Sequence, residues 1–173
     1  MGKLLTIVIV ASALIAGAAM YYLQVYGFYR ELSPQSPEAA ISLTLADGTQ
    51  QPLAPLALAA IDADSSPIRF RACFRVETPV SPETHRPYAK AEPLVAPGWF
   101  DCFDARTIGE DLTAGRATAY LGNENYHYGI DRIVAVYPDG RAFAWHQINR
   151  CGKDVFEGNP PPEGCPLPPR TGN

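Results

Sequence analysis

The sequence predicts an α+β protein. An N-terminal transmembrane helix precedes a small mixed, mainly antiparallel sheet domain with one short helix and a Pro-rich tail. Three observations predict it. Leu4–Leu23, LLTIVIVASALIAGAAMYYL, carries no charge. Ile130–Asn149, IDRIVAVYPDGRAFAWHQIN, alternates about a turn signal and reads as a hairpin. Asp104 stands ahead of a helix-compatible run that Gly115 closes. The 173 residues allow one domain with attachments. Seventeen prolines and 14 glycines exclude long helices after the N-terminus. A net charge of −4 excludes a basic phosphate-neutralising surface, so no nucleic-acid partner is expected.

At ~1.5 Å rise per residue, Leu4–Leu23 spans the ~30 Å of a bilayer's hydrocarbon core. Tyr21, Tyr22, Tyr26, Phe28 and Tyr29 follow as an interfacial aromatic cluster. The alternative is a cleaved signal peptide, with Leu4–Ile15 as its apolar region and Ala16-Gly17-Ala18 as the cleavage site. The apolar run continues past that cut, which favours an uncleaved signal anchor. Lys3 and Arg30 flank the span almost symmetrically, so charge leaves its orientation open. Ser12 and Ala16, like Ala13 and Gly17, stand one helical turn apart. Small residues at this spacing allow close helix packing in lipid, or they belong to a plain tether. Tyr22, Tyr26 and Tyr29 form a stripe that carries the helix to about Leu32, where Ser33-Pro34-Gln35-Ser36-Pro37 ends it.

The expected organisation is an anchor and extension over 1–32, a linker over 33–40, an α+β domain over 41–157 and a tail over 158–173 held by Cys165. Ile41–Leu45 and Gln50–Leu53 flank Asp47-Gly48 as a short hairpin. Asp64–Pro67 is a turn. In Ile68–Glu77, Ile68, Phe70, Ala72, Phe74 and Val76 share one strand face, and Arg69, Arg71, Cys73, Arg75 and Glu77 share the other. Thr78–Gly98 is a long proline-rich loop. Asp104 caps a helix over Ala105–Ala114, and Arg116–Leu121 is a strand. Pro138-Asp139-Gly140 then turns the main hairpin, setting Val136 opposite Ala142 and Arg132 opposite His146. Both faces of this hairpin are apolar near the turn, which places it centrally in the sheet.

Cys73, Cys102, Cys151 and Cys165 all follow the span. An even set without metal-ligand spacing points to two disulfides in an oxidising compartment; unlinked thiols in a cytosolic domain are the alternative. Three pairings are open to four cysteines. Cys73–Cys102 with Cys151–Cys165 is the favoured one.

No catalytic residue, metal ligand set or cofactor motif emerges. There is no CxxC or CxxCH, and the only methionines are Met1 and Met20. Asp62-x-Asp64-x-Ser66 lacks the glycine of a calcium loop. Arg69, Arg71 and Arg75 are read as an anion-receiving face, or as partners of Asp62, Asp64 and Glu77. The stretch Gly122–Asp131, GNENYHYGID, supplies the candidate binding residues. Tyr126, His127, Asp131 and His146 are expected to converge at the open end of the hairpin, with Glu124 and Asn125 at the rim of a ligand mouth. The competing reading is a structural loop in which Asn and Asp bond backbone while Tyr and His close a core edge.

The runs AGAAMYYLQVY, AIDADSSPIRFRACF, LVAPGWFDCFDA, HYGIDRIVAVYPDGRAFAWHQIN and EGCP resemble an uncharacterised family of short single-span alphaproteobacterial membrane proteins. The likeness covers most of the chain and implies no known activity. Proteins of this kind sometimes carry an automatic histidine kinase label. This sequence has neither an ATP-binding glycine box nor a phosphoacceptor helix to support it. The resulting expectation is a non-enzymatic protein of the bacterial inner membrane, single-pass, with its C-terminal domain in the periplasm. It acts as an accessory or assembly factor for another membrane or periplasmic protein. A ligand-sensing module with a His127/His146 mouth is the alternative.

Overall fold

The computed structural model describes residues 2–169; the first residue of the expected anchor and residues 170–173 of the expected tail lie outside the described residues. An apolar helix, α1, occupies Gly2–Tyr22 and passes into a π-helical turn at Leu23–Gly27. Within these 26 residues the most apolar stretch of 18 has a mean hydropathy of 2.3, and none of it is buried. The helix stops at Gly27, short of Leu32. Arg30–Glu31 instead forms β1 and pairs with Asp62 and Ile61. The stripe therefore holds for Tyr22 and Tyr26, stacked at 5.9 Å, while Tyr29 lies beyond the helix.

The remaining elements are β2 (Ser42–Thr44), β3 (Gln50–Pro52), β4 (Leu56–Asp62), β5 (Arg71–Arg75), α2 (Ala105–Thr113), β6 (Thr118–His127), β7 (Ile130–Val136), β8 (Arg141–Ile148) and α3 (Arg150–Phe156). Six strands form one antiparallel sheet in the order β1-β4-β5-β8-β7-β6, and β2-β3 is a separate hairpin. The β7–β8 register places Val136 opposite Ala142 and Arg132 opposite His146, as the turn chemistry predicts. On one sheet face Phe70, Ala72, Phe74, Val134 and Ala144 pack with Leu43 and Ile41. On the other, Cys73, Ile133, Ala135 and Trp145 pack with Phe100, Phe103 and Ile108 of the α2 side. The hairpin is covered on both faces, so its strands are apolar on both.

Asp104 caps α2 by accepting from the amides of Arg106 and Thr107, and Gly115 follows with φ +70°. Besides β1, two elements were not foreseen. β4 reads LALAAID, too alanine-rich to signal a strand, and is irregular at Ala57, whose φ is 50°. α3 starts where the Asn149 side chain accepts from the Gly152 amide. β6 also runs further than expected, through the polar stretch to His127, with register shifts on both sides of Asn123. Gly122 permits this. A Cβ there would lie 2.8 Å from the Arg132 carbonyl oxygen and 3.2 Å from that of Ser42.

Residues 33–40, read as a linker, are packed on the domain. Leu32 donates its amide to Ala60 O at 2.8 Å. Ser36 caps a 3-10 turn at Pro37–Ala39, and Ala39 is fully buried.

Candidate functional site

His146 lies on β8 and Arg132 opposite it on β7, both on the face that carries Phe70. Strand alternation puts them inside the core, where His146 is 1% exposed and Arg132 0%. Arg132 Nε donates to His146 Nε2 at 3.0 Å. That makes Nε2 an acceptor and puts the ring proton on Nδ1, which faces Pro67 O at 2.7 Å. Burial first, and then the Arg132 charge, push His146 down to about 3, so the ring is neutral. The other Arg132 nitrogens donate to Ala40 O at 2.7 Å and Glu38 O at 3.1 Å. Its guanidinium carbon sits 3.9 Å from the Phe70 ring centroid and 4.0 Å from that of Tyr126. This stack clamps the 33–40 segment onto the sheet.

Asp131 does not join this cluster. Being the neighbour of Arg132 on a strand, it faces the other way. Its Oδ1 accepts from the Asn125 amide at 2.9 Å and from Asn149 Nδ2 at 2.7 Å, and its Oδ2 from the Tyr88 hydroxyl at 3.1 Å. Burial and the Asp131 charge push the Tyr88 hydroxyl up, which keeps it a donor. Asn125, at φ 48°, accepts from the Gly129 amide and from Asn149 Nδ2, each at 3.0 Å. Asp131 and Asn125 thus fasten the end of β6 to the start of α3.

The expected mouth is therefore divided between two faces. Tyr126 lies against His146 at 4.6 Å between ring centroids, and His127 is 6.3 Å from His146, but His146 is sealed and Asp131 is on the far side. His127 and Glu124 are exposed, and Glu124 pairs with Arg86 at 3.3 Å. Among the described residues no buried side-chain nitrogen or oxygen lacks a partner, so the cluster's polar groups are spent on the fold. Among the described residues no group of His, Cys, Asp and Glu is arranged to hold a metal.

Disulfides join Cys73 to Cys102 and Cys151 to Cys165, with Cα separations of 6.3 and 5.7 Å. Cys165 is not the tail's sole tie, since Tyr128 donates to Pro166 O and Arg150 to Glu163 O. The arginine face also departs from expectation. Arg71 is buried and donates to the carbonyls of Ile68, Phe70, Leu94 and Val95. Burial lowers it to about 10, still charged at neutral pH. Arg75 donates to Asp139 O. Ser12, Ala13, Ala16 and Gly17 are exposed along α1, and a Cβ on Gly17 would meet nothing within 4 Å.

Two features escaped sequence reasoning. One joins the π-helical turn to the domain: Trp99 Nε1 donates to Val25 O at 2.7 Å, and Arg69 to Gln24 O at 3.4 Å. The other is a sheet edge. Arg86–Tyr88 covers β6, through Leu121 N to Arg86 O and Tyr88 N to Ala119 O. At the opposite edge β1 covers β4 only as far as Ala60. Leu56–Ala59 has no strand on that side among the described residues. Beside it lies a groove of about 470 Å³ lined by Leu32, Pro34, Leu58, Ala59, Trp99 and Phe100, among others. A lone tryptophan in a proline-rich loop was the one available signal for the first feature. Nothing in the local sequence marks the second.

A family of unknown function, DUF6446, matches residues 41–166. No curated protein and no solved structure matches the chain.

Proposed function

The chain belongs to the DUF6446 family of unknown function, and on that footing we propose that it is an inner-membrane-anchored periplasmic accessory protein that binds another envelope protein without catalysing a reaction. The open β4 edge carries this reading. An uncovered strand offers backbone donors and acceptors to an extended segment of a partner, and the adjoining groove offers apolar surface to that segment's side chains. The groove's apolar lining includes Leu58, Pro34, Trp99 and Phe100. The irregularity at Ala57 limits the insertable stretch, which suits a short docking strand rather than open-ended edge-to-edge growth.

Two disulfides support an oxidising compartment. The exposed apolar helix supports a membrane span, and its bonded junction with the domain supports retention of that span. The test is site-specific photo-crosslinking of the full chain in native membranes. A photoreactive side chain at Leu58 should give a discrete adduct with one envelope protein. The same group at Thr49, on the β2–β3 turn, should not. No adduct at Leu58, or identical adducts at both positions, would remove the edge-docking reading.

A further inference from the structure

We infer that the domain sits directly on the bilayer surface, with Trp99, Arg69 and Tyr29 forming a lipid-headgroup seat at the foot of the anchor. This rests on the anchor reading and goes beyond it, because a tethered domain need not touch lipid. The apolar run of the span ends at Leu23, where polar Gln24 follows, and Val25 is two residues beyond Leu23. At ~1.5 Å per helical residue, Val25 is ~3 Å beyond the hydrocarbon core. The headgroup layer on each side is ~5–8 Å thick, by the difference between core and full bilayer thickness. Val25 O therefore lies inside that layer, and helix tilt only deepens it. Trp99 Nε1 is 2.7 Å from this oxygen, so the indole is in the same layer.

The chemistry around it fits the position. Trp99 meets Tyr29 edge-to-face, with ring centroids 6.1 Å apart. The Arg69 guanidinium stands 5.3 Å from the Tyr29 ring and donates to Gln24 O. All three side chains are partly exposed. Indole and phenol rings favour the membrane interface because they join apolar area to a polar edge. Arg69 spends one donor on Gln24 and has further N–H groups to present to lipid phosphates. The π-helical turn supplies the reason for the bond. It lies at the end of the helix, where carbonyls lack intrahelical partners, and Trp99 satisfies one from the domain side.

The test uses the full chain in vesicles of phosphatidylethanolamine and phosphatidylglycerol, containing spin-labelled lipids that quench tryptophan at defined depths. Only two tryptophans exist, and Trp145 is fully buried. A shallow quencher should remove about half of the emission, the share of one of two indoles, as interfacial placement requires. Trp99→Phe should abolish that loss. In the Trp99→Phe background, Leu14→Trp should respond to a deep quencher, which reports the span itself. If Leu14→Trp responds while Trp99 is quenched by aqueous acrylamide and not by shallow-labelled lipid, the seat is overturned and the anchor stands. If Leu14→Trp does not respond, the anchor reading fails and the seat falls with it.

Discussion

Arg132 Nε donates to His146 Nε2 across the β7–β8 pair at 3.0 Å, and neither residue is more than 1% exposed. Among the described residues no carboxylate forms an ion pair with the cation, and Asp62 attracts it only from a distance. Its acceptors are a neutral ring nitrogen and the carbonyls of Ala40 and Glu38, with Phe70 and Tyr126 on its two faces. Removing it leaves His146 Nε2 unmet in the core and frees the carbonyls of Ala40 and Glu38, which are only partly buried. Arg132→Met is expected to destabilise the fold by about 2–4 kcal/mol, since an orphaned buried group costs ~1–3 kcal/mol and the two looser carbonyl contacts add less. The clamp on 33–40 should fail first. Denaturant unfolding measures the loss, and limited proteolysis should show new cutting near Pro37–Ala40. A variant of unchanged stability would mean that the clamp is dispensable.

His146 makes stability depend on pH. Its folded value, about 3, lies below the ordinary 6.5, so the unfolded chain takes up the proton first as pH falls. The contribution is fully present above pH 6.5 and is lost progressively below it, by about 2 kcal/mol at pH 5. His146→Gln should flatten the stability profile between pH 6.5 and 5, where ordinary carboxylates have yet to titrate. His127→Ala, at an exposed position, should change stability by less than about 0.5 kcal/mol. An equal acid slope in His146→Gln would refute the assignment.

The two disulfides close loops with sequence separations of 29 and 14 residues. Chain-entropy arithmetic gives ~3.6 and ~3 kcal/mol as ceilings. The Cys151→Ala/Cys165→Ala pair should loosen the tail while leaving the sheet folded, because the remaining ties, Tyr128 to Pro166 O and Arg150 to Glu163 O, are solvent-exposed. Cys73→Ala/Cys102→Ala should cost more, because Cys73 is also packed in the core. Non-reducing peptide mapping of protein from its native compartment should recover the two linked pairs. Four alkylatable thiols there would contradict them.

The main hairpin was legible because Pro138-Asp139-Gly140 fixes its register, and register fixes every face. Asp104 and Gly115 marked α2 for the same local reason. β4 was not legible, because LALAAID becomes a strand through its pairing with β5 and not by propensity. α3 escaped because it depends on Gly129 and Gly152, whose backbones pack so closely that a Cβ on either would overlap the other. The division of the expected mouth followed from alternation alone, which sets Asp131 and Arg132 on opposite faces. The predicted hairpin over Ile130–Asn149 already contained Asp131, but grouping Asp131 with the preceding polar stretch left that rule unapplied. The Trp99–Val25 bond joins residues 74 apart, a contact that no local pattern records.

The proposed orientation has a direct consequence. A reporter active only in the periplasm, fused after Asn173, should be active, and protease added to spheroplasts should digest the domain. The prediction follows from the disulfides, since the flanking charges Lys3 and Arg30 are nearly balanced. Complete protection of the domain in sealed spheroplasts would reverse it.

α1 is expected to contribute to partner binding beyond attachment. A tether needs only to be apolar, whereas a docking helix needs a face. Ser12 with Ala16, and Ala13 with Gly17, form an unobstructed strip, and nothing stands within 4 Å of a Cβ placed on Gly17. Small residues at this spacing bring helix backbones together in lipid and gain dispersion contacts. The junction at Val25 and Trp99 is bonded, so a partner helix gripping α1 would also be fixed relative to the β4 edge. Replacing Leu4–Leu23 with an unrelated span of equal length, while keeping Gln24–Tyr29, should leave the domain exported and folded. Capture of the partner identified at Leu58 should weaken. Gly17→Leu should act in the same direction, by roughly fivefold, or about 1 kcal/mol of helix packing. Full capture by both variants would assign recognition to the folded domain alone and reduce α1 to a tether.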